Sequence, residues 1–370
     1  MVEATPSQGV LSAFFDDLGE LSWSGPRGRA CLIATLSVVL STIVALALRL
    51  DNAWWAGISG FMVSQATSVA SFRKGLQRIA GTIVGALIAF FAMRWIAYDH
   101  LACYLFLLVF TTIGVLGFEL ERNGYAWLLA AVTADMIVLM SLQDPLATLH
   151  VAVYRTAEVT IGTLVAMMVA FVLAGDGAPQ ESSAPPPGFA SMFDAGFPAL
   201  LHALRSGISV MLIPLVWSLL ELPALGAQMG VTAIVVAAAP VLGVQPSILL
   251  TVVVTRALHR MAGCVIGGAA ALFCLMIPLT FFLPWLIALA AGVWIATHIQ
   301  SSARGIGYVG TQMSLAFIMT LVQGFGPPAS IWPGLDRFAG IMMGLTVLLL
   351  VSLILWPAEE ARSGSAAGER

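Results

Sequence analysis

Charged residues are scarce in this chain of 370 residues. Asp, Glu, Lys and Arg together make up 9% of the sequence, whereas an ordinary soluble domain carries about 25%. Hydrophobic residues make up 59%, and the mean hydropathy is +0.96. A soluble fold cannot bury that much apolar surface, so the composition predicts many membrane spans and a bilayer that surrounds most of the protein.

Lysine and cysteine are also rare. Lys74 is the only lysine and the net charge is −3, so the chain lacks the basic patch that nucleic-acid binding requires. The four cysteines, Cys31, Cys103, Cys264 and Cys274, lie in apolar runs without C-x-x-C spacing. We therefore expect buried apolar side chains there, and no metal site or disulfide.

Motifs for chemistry on nucleotides or substrates are missing as well. The sequence has no Gly-x-x-x-x-Gly-Lys phosphate loop and no polar segment long enough for a nucleotide-binding domain, which disfavours ATP-driven transport by this chain alone. No arrangement of His, Asp and Ser or of metal ligands suggests an enzyme, and we expect no cofactor. The N-terminus does not resemble a cleavable signal peptide, so we expect it to be retained.

Apolar runs of about 20 residues predict an all-α membrane protein with about twelve transmembrane helices. In the first half these runs lie near 30–50, 54–70, 76–97, 101–118, 125–142 and 154–174. In the second half they lie near 201–220, 226–242, 257–277, 281–299, 306–323 and 338–356. The second and eighth runs are short and contain Gly, Gln or Pro, which predicts broken or tilted helices that line the interior.

The helices group into two membrane units of six, residues 30–174 and residues 201–357. A polar, Pro-rich segment, residues 175–200, is typical of a flexible cytoplasmic linker. Residues 1–29 form a cytoplasmic or interfacial segment, in which the spacing of apolar and acidic residues fits a short surface helix as well as it fits a disordered tail. Residues 358–370 form a cytoplasmic tail.

Two patterns predict how the units are oriented. With both termini in the cytoplasm, only four of the 16 Lys and Arg residues lie at outer helix ends, as the positive-inside rule requires. In addition, residues 78–81 match residues 260–263 at an offset of 182, and Arg155 and Arg337 are also 182 residues apart. Because six helices is an even number, the two copies should have the same orientation, as in parallel-repeat transporters.

Two acidic residues fall inside predicted spans and are candidates for proton coupling. Asp135 lies near the middle of the fifth helix and Glu158 lies within the sixth, where a charge costs several kcal/mol and is usually functional or paired. A neutral Asp135, hydrogen-bonded to a neighbouring helix, is an equally good interpretation. For Glu158, an ion pair with Arg155, three residues earlier on the same helix face, is the favoured one.

Four arginines recur in both copies and are candidates for binding a substrate anion. Arg155 and Arg337 lie at the outer ends of their helices, and Arg78 and Arg260 are placed at the inner ends, where positive-inside anchoring explains them equally well. Three glutamines could hydrogen-bond a substrate or join helices: Gln65, Gln245 and Gln312. Tryptophans near helix ends, including Trp54 and Trp55, are expected to form an interfacial belt.

A series of short motifs resembles the hallmark stretch of the fusaric acid resistance (FUSC) family. These are Trp54-Trp55-Ala56, Val63-Ser64-Gln65, Arg73-Lys74-Gly75, Arg78, Gly81-Thr82 and Gly85. The resemblance covers residues 29–174 well and residues 204–357 more weakly, because the Trp-Trp pair is absent from the second copy. The chain also lacks the soluble cytoplasmic regions that the larger exporters of the family carry.

The resemblance implies a multi-pass protein of the bacterial inner membrane that exports aromatic carboxylic acids or related hydrophobic toxicants by secondary active, proton-coupled transport. It also implies a periplasmic adaptor protein and an outer-membrane channel as partners, and a relation to plant channels in which arginines line an anion pore. Two alternatives stay open: a channel-like conductor of organic anions and a non-transporting subunit of an envelope complex. The sequence leaves the oligomeric state open.

Overall fold

The computed structural model describes residues 9–175, 187–193, 197–222, 224–236, 246–277, 281–328 and 330–355. Within these residues the regular secondary structure is helical, with thirteen α-helices and two 3₁₀ turns at Pro145–Ala147 and Phe189–Ser191. The all-α fold class predicted from the composition is therefore confirmed for the described part of the chain.

A short N-terminal helix precedes six helices in the first half and six in the second. The first seven are α1 (Val10–Gly19), α2 (Gly25–Ala47), α3 (Ala53–Val63), α4 (Ser68–Ile96), α5 (His100–Leu120), α6 (Gly124–Ser141) and α7 (Thr148–Leu173). The second half contains α8 (Phe197–Leu219), α9 (Ala224–Val236), α10 (Pro246–Met276), α11 (Phe282–Gln300), α12 (Gly307–Leu321) and α13 (Trp332–Ile354).

Each of the twelve apolar runs corresponds to one of the helices α2 to α13. Among the described residues, nine helices are long and apolar enough to cross a membrane, which confirms a multi-pass membrane protein. The other three, α3, α9 and α12, have 11, 13 and 15 residues. The count of twelve spans, the parallel orientation of the halves and the cytoplasmic termini stay predictions.

Helix α3 is short because polar residues interrupt the chain on both sides of it. It begins after Asn52 and ends at Val63, and the Thr67 side chain then caps α4 by accepting a hydrogen bond from the backbone N–H of Ala70 at 3.3 Å. Ten of its eleven residues are buried. The prediction that the second apolar run is short and faces the interior is confirmed.

The same helix pairs pack in each half. Helix α4 packs on α6 and α10 packs on α12, and in both cases glycines allow the contact. A Cβ atom at Gly85 would collide with the Ala130 carbonyl, and one at Gly267 would collide with the Met313 carbonyl. These Gly-x-x-x-Gly helices therefore pack backbone against backbone, as small residues permit in membranes.

A second glycine contact fixes which residues of α3 and α9 are equivalent. Gly162 of α7 lies against Ala56, and Gly344 of α13 lies against Gly230. Because Gly162 and Gly344 are 182 residues apart, Ala56 and Gly230 occupy corresponding places. One residue before them Trp55 corresponds to Met229, and three residues after them Ser59 corresponds to Ala233.

The two halves contact each other through reciprocal helix pairs. Helix α5 packs on α8 and α11 packs on α2, while α6 contacts α9 and α12 contacts α3. One example is Gly57 of α3, which packs against the side chain of Ile318 on α12. Each contact thus has a counterpart with the halves exchanged.

Helix α1 docks against the second half. Ala13 and Phe14 pack with Ile299, Ile306 and Val309 near the loop between α11 and α12. The fully buried carboxylate of Asp17 pairs with Arg304 of that loop and with Arg27 of α2. The predicted surface helix is therefore present over residues 10–19, where the disordered-tail interpretation is wrong.

The polar side of this contact should respond to pH. Glu20 also pairs with Arg304, and the hydrogen bonds from that guanidinium hold the pKa of the exposed Glu20 carboxyl below its usual value. A carboxyl with a lowered folded-state pKa stabilises above its unfolded pKa, and this contribution is lost as the pH falls further. The Glu20 pair thus supports α1 docking at neutral pH, and its contribution declines progressively as the pH falls from about 4.3 through the lower folded-state pKa.

We predict that Arg304→Gln releases α1, because it removes the partner of Glu20 and one of the two partners of Asp17. Hydrogen–deuterium exchange of residues 10–19 should become faster at pH 7 in the variant, and acidification of the unmodified protein below a pH of about 4 should move it in the same direction. Arg122→Gln, an exposed change just before α6, is the control. Unchanged exchange in Arg304→Gln would show that apolar packing alone holds α1.

Candidate functional site

Helix α3 positions a column of polar and aromatic groups in the interior of the first half. Trp55 and Ser59 lie one helical turn apart on one face, and the Ser59 hydroxyl donates to the Trp55 carbonyl at 2.7 Å. Both residues are buried. Two arginines from other helices approach this face, one at each level.

Arg78 of α4 approaches the level of Ser59. Its Nε donates to the Ser59 Oγ at 3.1 Å and its Nη1 donates to the Tyr125 hydroxyl at 2.7 Å. The side chain is 4% exposed, and it lies about 15 Å along the axis from the first residue of α4. The placement at an inner helix end and the anchoring interpretation are therefore wrong for Arg78, because its guanidinium bonds to protein groups in the interior.

Arg155 of α7 approaches the level of Trp55. The centre of its guanidinium lies 3.0 Å from the centroid of the Trp55 ring, a cation–π contact. All three guanidinium nitrogens are buried without a hydrogen-bond partner. Arg155 thus presents a desolvated, unpaired positive charge.

The predicted ion pair between Arg155 and Glu158 is not formed. The four ion pairs found among the described residues do not include it. The Glu158 carboxylate instead accepts a hydrogen bond at 2.7 Å from the backbone N–H of Asn52, the residue that precedes α3. The prediction was wrong because the helix start and the Trp55 ring, both distant in sequence, give these two side chains other partners.

Arg337 of α13 reaches the same place from the second half. Its guanidinium lies 4.7 Å from the centroid of the Trp54 ring, and its Nη1 donates to the Met319 carbonyl. The rings of Trp54 and Trp55 are themselves 4.0 Å apart. One arginine from each half therefore lies over one ring of an adjacent tryptophan pair.

These four residues line one cavity of about 100 Å³, which we call the outer cavity. Glu158 lines it as well, together with Met136, Ile137 and Met140 of α6 and Met229 of α9. Trp54 and Trp55 are 3% and 5% exposed, so the interfacial-belt interpretation is wrong for this pair. The cavity combines two arginines, two carboxylates (Glu158 and Asp51) and aromatic surface.

Sequence reasoning missed the mouth of the outer cavity. His150 Nε2 and Asp51 Oδ2 are 2.6 Å apart, and the His150 ring stacks on Tyr154 at 4.2 Å. Both members of the pair are partly exposed, and all three residues line the cavity. No local signal marks this pair, because its members lie 99 residues apart at the starts of different helices.

The second half repeats the column with different partners. Arg256 lies over the Tyr308 ring at 4.2 Å, as Lys74 lies over the Tyr125 ring at 5.4 Å. Arg260, the counterpart of Arg78, is 3% exposed, so the anchoring interpretation and the inner-end placement are wrong for it too. Basic residues 182 positions apart therefore occur at three levels: Lys74 and Arg256, Arg78 and Arg260, Arg155 and Arg337.

Asp135 is separated from this arrangement. Its carboxyl is fully buried and accepts a hydrogen bond at 2.7 Å from the Thr111 hydroxyl of α5, while its second oxygen has no partner. The next residues on α6, Met136 and Ile137, line the outer cavity, but Asp135 does not. The two acidic candidates thus lie in different surroundings.

Neither of the two glutamine candidates within the described residues, Gln65 and Gln312, lines the outer cavity. The Gln65 amide donates to the carbonyls of Met62 and Ser64 in the break between α3 and α4. Gln312 is buried on α12 beside Gly263, and its carbonyl oxygen has no partner. Gln245 lies outside the described residues. In the part of the chain that the structure covers, no group of His, Cys, Asp and Glu could hold a metal ion.

Part of the chain is similar in sequence to a known protein family. Residues 32–186 match the model of the "Fusaric acid resistance protein family". The p-hydroxybenzoic acid efflux pump subunit AaeB of Escherichia coli (strain K12) is 29% identical over 177 residues, which is 44% of this chain and 27% of that protein. The Multidrug resistance protein MdtO of Shigella flexneri is 38% identical over 73 residues, 20% of this chain and 10% of that protein.

The family model covers most of the first half of the chain. The resemblance to the FUSC family predicted from the sequence is confirmed, although the chain spans 27% or less of the length of these two relatives. No solved structure matches.

The different environments of Arg155 and Arg78 give a prediction about stability. Replacing buried ionic groups with well-packed apolar residues of similar volume is often neutral or stabilising, and Arg155 has no hydrogen bond to lose. Arg155→Met should therefore leave the melting temperature in detergent unchanged or raise it. Arg78→Met should lower it, because Ser59 and Tyr125 lose their partner. If both variants melt at lower temperature to a similar extent, Arg155 has a structural role instead.

Proposed function

We propose, from the premise that residues 32–186 make this chain a relative of the fusaric acid resistance protein family, that it is an efflux transporter of aromatic carboxylic acids or related organic anions in the bacterial inner membrane. One observation carries the proposal: Arg155 and Arg337, from different halves, lie over adjacent tryptophan rings in one cavity. The names of the relatives, an efflux pump subunit and a multidrug resistance protein, agree with it.

The outer cavity offers what an aromatic carboxylate needs. The unpaired nitrogens of Arg155 can donate to a carboxylate, which a guanidinium binds through two parallel hydrogen bonds. The Trp54 and Trp55 rings offer flat apolar surface for the body of the substrate. A cavity of about 150 Å³ can hold benzene, so the outer cavity, at about 100 Å³, must widen to admit a single-ring acid.

A second consideration favours transport over a purely structural role. A buried guanidinium without a hydrogen-bond partner is costly to the folded protein. A bound anion would remove this cost. The arrangement is therefore better suited to a ligand that comes and goes than to holding the helices together.

For proton coupling we propose Asp135, with Glu158 setting the charge of the cavity. Asp135 faces α5 while its neighbours Met136 and Ile137 face the outer cavity. A change in its protonation can therefore alter how α6 packs without direct contact with the substrate. Glu158 lies beside Arg155 and partly balances its charge, so proton binding to Glu158 favours an anion in the cavity.

The arrangement of the chain adds three further proposals. The first is that residues 30–174 and 201–357 form two six-helix units, joined by a cytoplasmic linker and followed by a cytoplasmic tail. The reciprocal helix pairs between the halves support the division into two units. A periplasmic adaptor and an outer-membrane channel are proposed partners, in line with the word "subunit" in the name of the Escherichia coli relative. A homo-oligomer is compatible with this arrangement.

Substrate binding is tested best by a pair of arginine changes. Arg337→Gln removes one guanidinium from the outer cavity and should weaken binding of radiolabelled p-hydroxybenzoate to the purified protein at least about tenfold, since a hydrogen bond to a charged group contributes about 1.5–3 kcal/mol. Arg94→Gln removes the same charge from an exposed position on α4 and should change nothing. Equal effects of both variants would point to general electrostatics, and no effect would refute the site.

Coupling is tested by transport in vesicles. Export of p-hydroxybenzoate should stop when a protonophore is added and should fall at least about tenfold in Asp135→Asn, which cannot exchange a proton. Thr111→Val removes the hydrogen bond to Asp135 but keeps the carboxyl, and should preserve coupled export.

The alternatives give different results in the same vesicles. Export that persists under a protonophore, with a current that reverses at the equilibrium potential of the anion, would identify a channel. The three levels of basic residues favour a channel as the second candidate function. A chain that neither binds nor moves any aromatic acid would be a non-transporting subunit.

A further inference from the structure

The two halves treat their middle arginine differently. In the first half Arg78 donates to Ser59 and to Tyr125. In the second half the position of Ser59 is taken by Ala233, which has no hydroxyl group. The Nε atom of Arg260, whose counterpart on Arg78 bonds to Ser59, is buried without a hydrogen-bond partner, and so is its Nη1 atom.

One further basic group lies next to Arg260. Arg256 is one helical turn away on α10, over the Tyr308 ring, and its buried Nε has no partner. The four ion pairs found among the described residues include neither Arg256 nor Arg260.

We propose that Arg256 and Arg260 form an anion-binding site within the second half, separate from the outer cavity, which takes the carboxylate of an organic anion. Three buried nitrogens on these two side chains have no partner, and a carboxylate would supply the missing acceptors. The first half has no such site, because Ser59 and Tyr125 already occupy Arg78. The proposal extends the proposed function, from which it takes the class of ligand.

The site gives the second half a distinct role. The motifs of the family are most complete in the first half, which also supplies both tryptophans of the outer cavity. The second half, whose family motifs are weaker, keeps the basic residues and loses the serine that would pair with one of them. An anion held on Arg256 and Arg260 would lie one level below Arg337, the next basic residue of the same half.

Binding of radiolabelled benzoate to the purified full-length protein tests the proposal. The unmodified protein should bind two benzoates per chain. Arg155→Gln combined with Arg337→Gln should leave one, and Arg256→Gln combined with Arg260→Gln should also leave one. Melting temperatures of all variants show whether they are folded.

A serine exchange between the halves is the sharper test. Ala233→Ser gives Arg260 the partner that Ser59 gives Arg78, so it should weaken the second-half site about tenfold and leave the outer cavity unchanged. Ala227→Ser places the same hydroxyl at another buried alanine of α9 and is the matched control. Arg260→Lys, which keeps the charge, provides an independent variant if Ala233→Ser fails to fold.

The outcomes separate this proposal from the proposed function. A single benzoate per chain, lost in Arg337→Gln and unaffected by Ala233→Ser and Arg260→Lys, would overturn the second-half site and leave the outer cavity intact. Two benzoates, of which one responds to Ala233→Ser and not to Ala227→Ser, would support it. Absence of any benzoate binding would refute both sites.

Discussion

The contact between Arg155 and Trp55 is the interaction on which the outer cavity depends. A guanidinium buried in a membrane protein needs a partner, and the nearest carboxylate in sequence, Glu158, bonds instead to the backbone N–H of Asn52. The aromatic ring stabilises the charge without occupying its nitrogens. Because these nitrogens stay available, the same contact that holds the arginine also leaves it able to bind an anion.

The short helix α3 makes this arrangement possible. A helix long enough to span the membrane would expose part of its surface to lipid. Helix α3 instead is buried almost completely and is surrounded by other helices. Its Trp55 and Ser59 receive arginines from α7 and α4, and its Trp54 receives one from the other half. A helix of eleven residues thus contacts three basic groups that arise from distant parts of the chain.

The equivalence of the halves is incomplete, and the differences are informative. Basic residues keep an offset of 182 at three levels, but the partners around them change: Trp55 becomes Met229 and Ser59 becomes Ala233. Both halves therefore keep their basic residues. The tryptophan rings of the outer cavity come from the first half, whereas Arg260, the middle arginine of the second half, has nitrogen atoms without a hydrogen-bond partner. Duplicated helices that share a packing pattern can in this way supply two different environments for an anion.

Composition and residue spacing are enough to predict that the protein is all-α, that it crosses the membrane many times, where its helices lie, and which basic residues repeat. Hydropathy and glycine spacing act locally along the chain, so they can be read without knowing the fold. The folded arrangement was needed to establish that Arg155 and Arg337 lie over one tryptophan pair, that Glu158 does not bind Arg155, that Trp54 and Trp55 face the interior, and that Asp135 faces α5. These outcomes depend on contacts between helices tens to hundreds of residues apart, and no local pattern specifies which partner a buried charge will find.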